Sequence, residues 1–140
     1  SGVNCGGGYP GSARSPSGKN WGCNYALDNT YDTWGMYNRE WVSYAAFKVD
    51  QSGRNMPYWG GKGHAYQWPN NARAAGIPVD GNPRVGDVAI STAGDYGHAM
   101  YVEAVLGGGK IFISQYNADL DGRYTERTIN AAGLYFIHFP

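Results

Sequence analysis

Val42, Ala45, Ala46 and Val49 recur at the i, i+3, i+4, i+7 spacing of a buried helical stripe and predict a first helix over residues 35–49. Trp41 falls one residue, about 100°, off that stripe, at the edge of the buried face where a side chain can reach a groove. Asp32, just upstream, is a candidate cap or N-terminal anion. Residues 51–63 carry Gly53, Pro57, Gly60 and Gly61 and read as a turn-rich crossing. A second helix follows over residues 66–75, with Pro69 tolerated only in its first turn, Gly76 as its stop and Pro78 preventing continuation. From Val85 the period changes to two. Residues 85–91, 97–106, 110–116, 122–129 and 134–139 read as strands separated by Gly, Asn and Asp. Helices first and a meander afterwards predict an α+β domain, its N-terminal helices packed on an antiparallel sheet of about five to six strands.

The longest hairpin allows a geometric inference. Leu106-Gly107-Gly108-Gly109 reads as a two-residue turn centred on Gly107-Gly108. Pairing Leu106 with Gly109 puts His98 opposite Asn117 and Met100 opposite Gln115. Side chains two apart share a face, so His98, Gln115 and Asn117 project from one side of the sheet. An imidazole facing a side-chain amide is the arrangement that orients a catalytic histidine: the amide accepts one ring N–H and leaves the other nitrogen toward a nucleophile. The plain alternative is a polar histidine at a sheet edge.

Composition narrows the classes. At 140 residues the chain is read as one domain. Its turn-rich residues 1–30 lie over the surface of a domain spanning residues 31–140. Eleven basic residues balance eleven acidic ones with no basic run, which argues against nucleic acid as a partner. No stretch approaches the ~20 apolar residues of a membrane span. The Ser1-Gly2 start reads as an excised mature fragment or a cloning scar, so the lack of a leader does not argue for the cytosol. Tyr (12) and Trp (5) are abundant, and their flat amphipathic rings suit both a core and a contact surface. Cys5 and Cys23 flank a Gly/Ser/Pro-rich loop with little to pack, so a disulfide is expected there, with two free buried thiols as the alternative. A disulfide implies an oxidising, extracytoplasmic setting.

Several motifs then carry a resemblance. The run Trp34-Gly35-Met36-Tyr37-Asn38-Arg39-Glu40-Trp41-Val42-Ser43-Tyr44 resembles the nucleophile-bearing helix of the CHAP family, the cysteine, histidine-dependent amidohydrolases/peptidases that cut bacterial cell-wall peptides. Tyr96-Gly97-His98-Ala99-Met100-Tyr101-Val102-Glu103 resembles the family's histidine strand, and Arg84-Val85-Gly86-Asp87-Val88 the strand before it. Ile113-Ser114-Gln115-Tyr116-Asn117 resembles the strand of its third and fourth polar residues. The resemblance runs from about Asp32 to the C-terminus.

It implies a papain-like fold, secretion, a bacterial or phage origin, and peptidoglycan stem or cross-bridge peptide as partner. His98 would be the general base and Asn117 would orient it. Gln115 stands where many members carry Glu. Tyr37, Asn38, Arg39 and Trp59 would line the substrate groove. The family's cysteine thiolate would sit at a helix N-terminus, where the dipole and an imidazolium lower its pKa. This chain has Trp41 there, and an indole cannot become a nucleophile near neutral pH. Ser43 lies about 200° round the helix, and Tyr37 and Tyr44 carry phenols of pKa near 10, so none replaces it. The resemblance therefore implies a hydrolase fold without its chemistry: an enzyme inactivated at residue 41, or a pseudoenzyme that binds the wall or a protein. No cofactor and no metal are expected. Asn117–Gly122 opens like a calcium loop but has Thr128 where the twelfth-position Glu belongs, and His64 and His138 have no spaced partner. A monomer is expected.

Overall fold

Helix α1 spans Trp41–Gln51, beginning at Trp41 rather than at Gly35. Gly35 (φ 77°) and Arg39 (φ 65°) are left-handed, a conformation that a right-handed helix excludes. Residues 32–40 form turns instead. Asp32 fastens them through Oδ1, which accepts from the amides of Trp34 (2.8 Å) and Met36 (2.9 Å), so it staples a turn and does not cap the helix. The predicted stripe is buried as expected, and Ser43 and Tyr44 are buried with it. Helix α2 covers Trp68–Ala74, entered through a 3₁₀ turn at Ala65–Gln67, with Pro69 in its first turn.

The computed structural model describes residues 5–140; the Ser1-Gly2 start lies outside them. A short ribbon joins β1 (Ala13–Arg14) to β2 (Asn20–Trp21). The main sheet contains β3 (Val79–Asp80), β4 (Val88–Ser91), β5 (His98–Val105), β6 (Lys110–Tyr116), β7 (Tyr124–Asn130) and β8 (Tyr135–Ile137). Its order is β3-β8-β4-β5-β6-β7, and every pairing is antiparallel. β3 was not predicted; it is a two-residue edge against β8. β4 starts at Val88 rather than Val85 because Arg84–Asp87 closes a turn, with the Arg84 amide donating to Asp87 Oδ2 at 2.7 Å.

The β5–β6 hairpin departs from its predicted turn yet keeps its predicted register at the far end. Leu106 pairs with Lys110, not Gly109, so the loop holds three glycines, with Gly108 and Gly109 left-handed (both φ 73°). A β-bulge between Val102 and Ala104 absorbs the extra residue. Beyond it Tyr101 faces Ser114 and Val102 faces Ile113, the frame that sets Met100 against Gln115.

α1 packs on β5 and β6, and Tyr44 on the helix hydrogen-bonds Ser114 on β6 at 2.7 Å. The N-terminal segment contributes to this core. The Tyr9 ring lies 4.8 Å from that of Tyr116, 5.7 Å from Phe47 and 5.6 Å from Trp21, and its hydroxyl meets Ser43 at 2.7 Å. The expected disulfide joins Cys5 to Cys23 and ties this segment down. A second apolar cluster gathers Met100, Val102, Ile113 and Phe136.

Candidate active site

Trp41 is the first residue of α1, following Glu40, whose extended backbone (φ −84°, ψ 160°) ends the turn and accepts the first helical bond from the Tyr44 amide. A side chain at this position stands at the positive end of the helix dipole. His98 opens β5, and its ring centroid lies 5.1 Å from that of Trp41 in an edge-on contact at 69°. Across the hairpin Gln115 Oε1 accepts from His98 Nε2 at 2.7 Å, while Gln115 Nε2 donates to the Thr125 hydroxyl at 3.1 Å. With the amide placed this way, the tautomer that bonds it carries its proton on Nε2 and leaves Nδ1 as the acceptor nitrogen. Burial lowers the pKa of His98; the Gln115 bond opposes this and the charge of Arg127 adds to it. The imidazole is therefore neutral near pH 7.

Asn117 does not reach the imidazole. The chain turns left-handed at Asn117 (φ 59°), just past the end of β6, and its amide donates to Glu40 Oε1 at 2.6 Å while its Oδ1 accepts from the Gly122 amide at 2.7 Å. Of the two amides expected at His98, Gln115 bonds it and Asn117 braces the helix entrance. That Oδ1 is also the oxygen a calcium loop would need, here used to close the loop back from Gly122.

A groove of about 560 Å³ opens over this helix end, and Tyr37 and Trp41 both line it. His98 is not on its wall, but its ring contacts the indole that is. Asn38 and Arg39, expected on the wall, are buried behind it. Asn38 Oδ1 accepts from the amides of Asn29 (3.0 Å) and Thr30 (3.1 Å), and its Nδ2 donates to the carbonyls of Gly22 (2.9 Å), Ala26 (3.1 Å) and Tyr25 (3.4 Å). The guanidinium of Arg39 donates to the carbonyls of Gly122 (3.1 Å) and Tyr25 (3.3 Å). Trp59 is also elsewhere, packed on Trp68 (5.2 Å) and Phe139 (5.9 Å). Asn38 and Arg39 thus hold loops, and Trp59 packs against a core.

The groove has walls the sequence did not announce: Asp28, Tyr31, His64 and Tyr96, with Glu40 beside Trp41. Tyr31 and Tyr37 stack at 4.6 Å and share a hydroxyl contact of 3.1 Å. Burial pushes the Glu40 carboxyl up to about 8, its hydrogen bond to Asp28 and that residue's charge reinforce the shift, and the Asn117 bond opposes it. No spacing rule brings Asp28 to Glu40, because the intervening loop is folded by the Asn38 bonds.

No oxygen or sulfur nucleophile stands where Trp41 does. Ser43 is buried with its hydroxyl on Tyr9, and the Tyr44 hydroxyl is on Ser114. Burial raises the pKa of Tyr44, which keeps the phenol protonated. Away from the groove, a second histidine site escaped the sequence reading: His138 lies between two carboxylates, Nδ1 at 2.8 Å from Asp87 and Nε2 at 2.7 Å from Asp80.

Comparison with known proteins supplies the family and the fold. The family model described as CHAP domain matches residues 25–117, about two-thirds of the chain. The chain is 39% identical to N-acetylmuramoyl-L-alanine amidase sle1 of Staphylococcus haemolyticus, across 79% of this chain and 32% of that protein. It is 41% identical to staphylococcal secretory antigen ssaA2 of Staphylococcus aureus, across 54% of this chain and 30% of that one. The chain thus spans about a third of the length of these curated relatives. Among solved structures it superposes on an N-acetylmuramoyl-L-alanine amidase from Staphylococcus aureus with a TM-score of 0.67 and 30% identity, covering 74% of this chain and 31% of that one. The expected α+β, papain-like architecture holds.

Proposed function

The chain belongs to the CHAP domain family, and from that premise we propose that it is the fold of a peptidoglycan amidase or endopeptidase whose cutting step is missing at residue 41. One observation carries the reading: a base with its orienting amide in place, and an indole edge-on to it at 5.1 Å where the resemblance assigns the thiol. In the intact reaction His98 Nδ1 would take the proton of that thiol. The thiolate would attack the amide carbonyl carbon, and the imidazolium would then protonate the departing amine. Water would hydrolyse the resulting thioester and restore the thiol. An indole offers neither the electron pair nor the proton for the first step, and its ring contacts the base. The disulfide and the name of the secretory antigen relative support an extracytoplasmic setting.

The test restores the sulfur. Trp41→Cys should clear a suspension of purified peptidoglycan and release new amino groups, and His98→Ala in the same background should abolish that gain. A folded Trp41→Cys variant that leaves peptidoglycan uncut sinks the inactivated-enzyme reading. A second reading then stands, a wall-binding pseudoenzyme. It is favoured by the groove, which stays open beside Trp41 and is rimmed by the stacked Tyr31–Tyr37 pair. That reading requires the wild-type chain to sediment with insoluble peptidoglycan.

A further inference from the structure

The groove is sided as well as open. No Lys or Arg lines it, whereas Asp28 and Glu40 do, among the aromatic rings of Tyr31, Tyr37 and Trp41. Among the described residues neither carboxyl forms an ion pair. Arg39, next to Glu40 in the chain, has a left-handed backbone and spends its guanidinium on the carbonyls of Gly122 and Tyr25. Glu40 is fixed in place by Asn117, itself held by the Gly122 amide. Two carboxyls that share a hydrogen bond but meet no cation, in a groove lined also by aromatic rings, suit a compact cation, which ring quadrupoles and carboxylates attract together.

We propose that this groove selects peptides bearing a primary ammonium group, and that Asp28 and Glu40 are the residues that read it. The inference rests on the groove being the peptide site proposed above. The ammonium comes from one of two sources with the same chemistry, a lysine-type side chain or a free peptide N-terminus.

A proton signature accompanies binding. Glu40, pushed up to about 8 by burial and by Asp28, holds its proton near neutrality. An arriving ammonium favours the ionised carboxylate, so the carboxylic acid and R–NH₃⁺ give the carboxylate–ammonium pair and one H⁺ released to solvent. The sign follows: affinity rises with pH, up to about tenfold per unit, until Glu40 is ionised in the free protein. It falls again only where the ligand itself loses its proton, near 10.4 for a lysine side chain and near 8 for an N-terminal amine. The titratable groups around Glu40 are Asp28, Tyr31, Tyr37, His64 and Tyr96 on the wall, Arg39 next in the chain and His98 against the indole.

The experiment is calorimetry on the full chain, in two buffers of different ionisation enthalpy, with four probes. These are N-acetyl-lysine methylamide, its Nε-acetylated form, triglycine and N-acetyl-triglycine. The expected result is at least tenfold tighter binding of a free-amine probe over its acetylated twin, with proton release that grows as pH drops from 8.5 to 7. Whichever amine binds identifies the source. Glu40→Gln, which can keep the Asn117 bond, and Asp28→Asn, at a left-handed position Asn tolerates, should each erase most of the preference. Glu40→Gln should also abolish the proton release, while His64→Gln should retain it. Equal binding of free and acetylated probes overturns the proposal and leaves the groove reading intact. Binding of neither overturns it too, and if insoluble peptidoglycan then fails to retain the protein, the groove reading falls with it.

Discussion

Asn38→Ala separates the two roles this side chain could have, groove wall or loop anchor. Asn38 is fully buried and takes part in five hydrogen bonds that gather residues 22–30 onto the turn before α1. Truncation does not orphan all five partners. Asn29 keeps a bond to the Ala26 carbonyl at 3.2 Å, and the Gly22 carbonyl keeps the Tyr25 amide at 3.3 Å. The Thr30 amide loses its acceptor outright. One orphaned, partly buried amide costs about 1–3 kcal/mol and each weakened bond about 0.5 kcal/mol, so the loss is about 3 kcal/mol. That corresponds to roughly 10 °C in Tm for a domain of this size. Urea unfolding followed by near-UV circular dichroism measures it, with an unchanged slope confirming that the midpoint shift is a stability change. Asn38→Asp should lose more at neutral pH, because a carboxylate would then face carbonyl oxygens. A loss below about 1 kcal/mol, paired with altered peptide binding, would refute the anchor and return Asn38 to the groove.

Two further outcomes follow from features away from the groove. Burial disfavours the charged form of His138, but its bonds to Asp80 and Asp87 outweigh that and raise its pKa above 6.5. Its contribution is then fully present below pH 6.5 and lost as pH rises through the raised value, so the stability gap between wild type and His138→Gln should narrow from pH 6 to pH 9; a gap that widens contradicts the assignment. The Cys5–Cys23 bridge closes a separation of 18 residues, and replacing both cysteines with serine should cost about 3 kcal/mol; an unaltered urea midpoint in the double variant would remove the bridge from the account of stability.

The legible part of this chain was its apolar periodicity. A helical stripe and alternating strands report which faces are dry, and those faces, the sheet and the His98–Gln115 pairing emerge directly from them. Torsional exceptions were opaque. Nothing in the identity of Arg39 announces a left-handed backbone, so periodicity alone predicts a start at Gly35 where the helix begins at Trp41. The hairpin holds two departures that compensate: a third loop glycine shifts the register and the bulge beside Glu103 shifts it back. The polar residues have other neighbours than periodicity predicts. Asn38, Arg39 and Asn117 each satisfy buried backbone or a carboxylate, and those partners come from loops whose path no periodicity encodes. The Asp28–Glu40 pair was invisible for the same reason.

Tyr9 has a consequence for how such a domain can travel between proteins. The segment that carries the family's signature, residues 25–117, would leave behind the ring that fills the space between Phe47 and Tyr116. It would also leave behind Phe136 and Ile137, both fully buried on β8, the strand that joins β3 to β4. A graft cut to that signature would inherit the site residues and expose the aromatic interior that holds them. The packed unit is therefore wider than the recognisable one, reaching past it to the cysteine bridge on one side and to the last strand on the other.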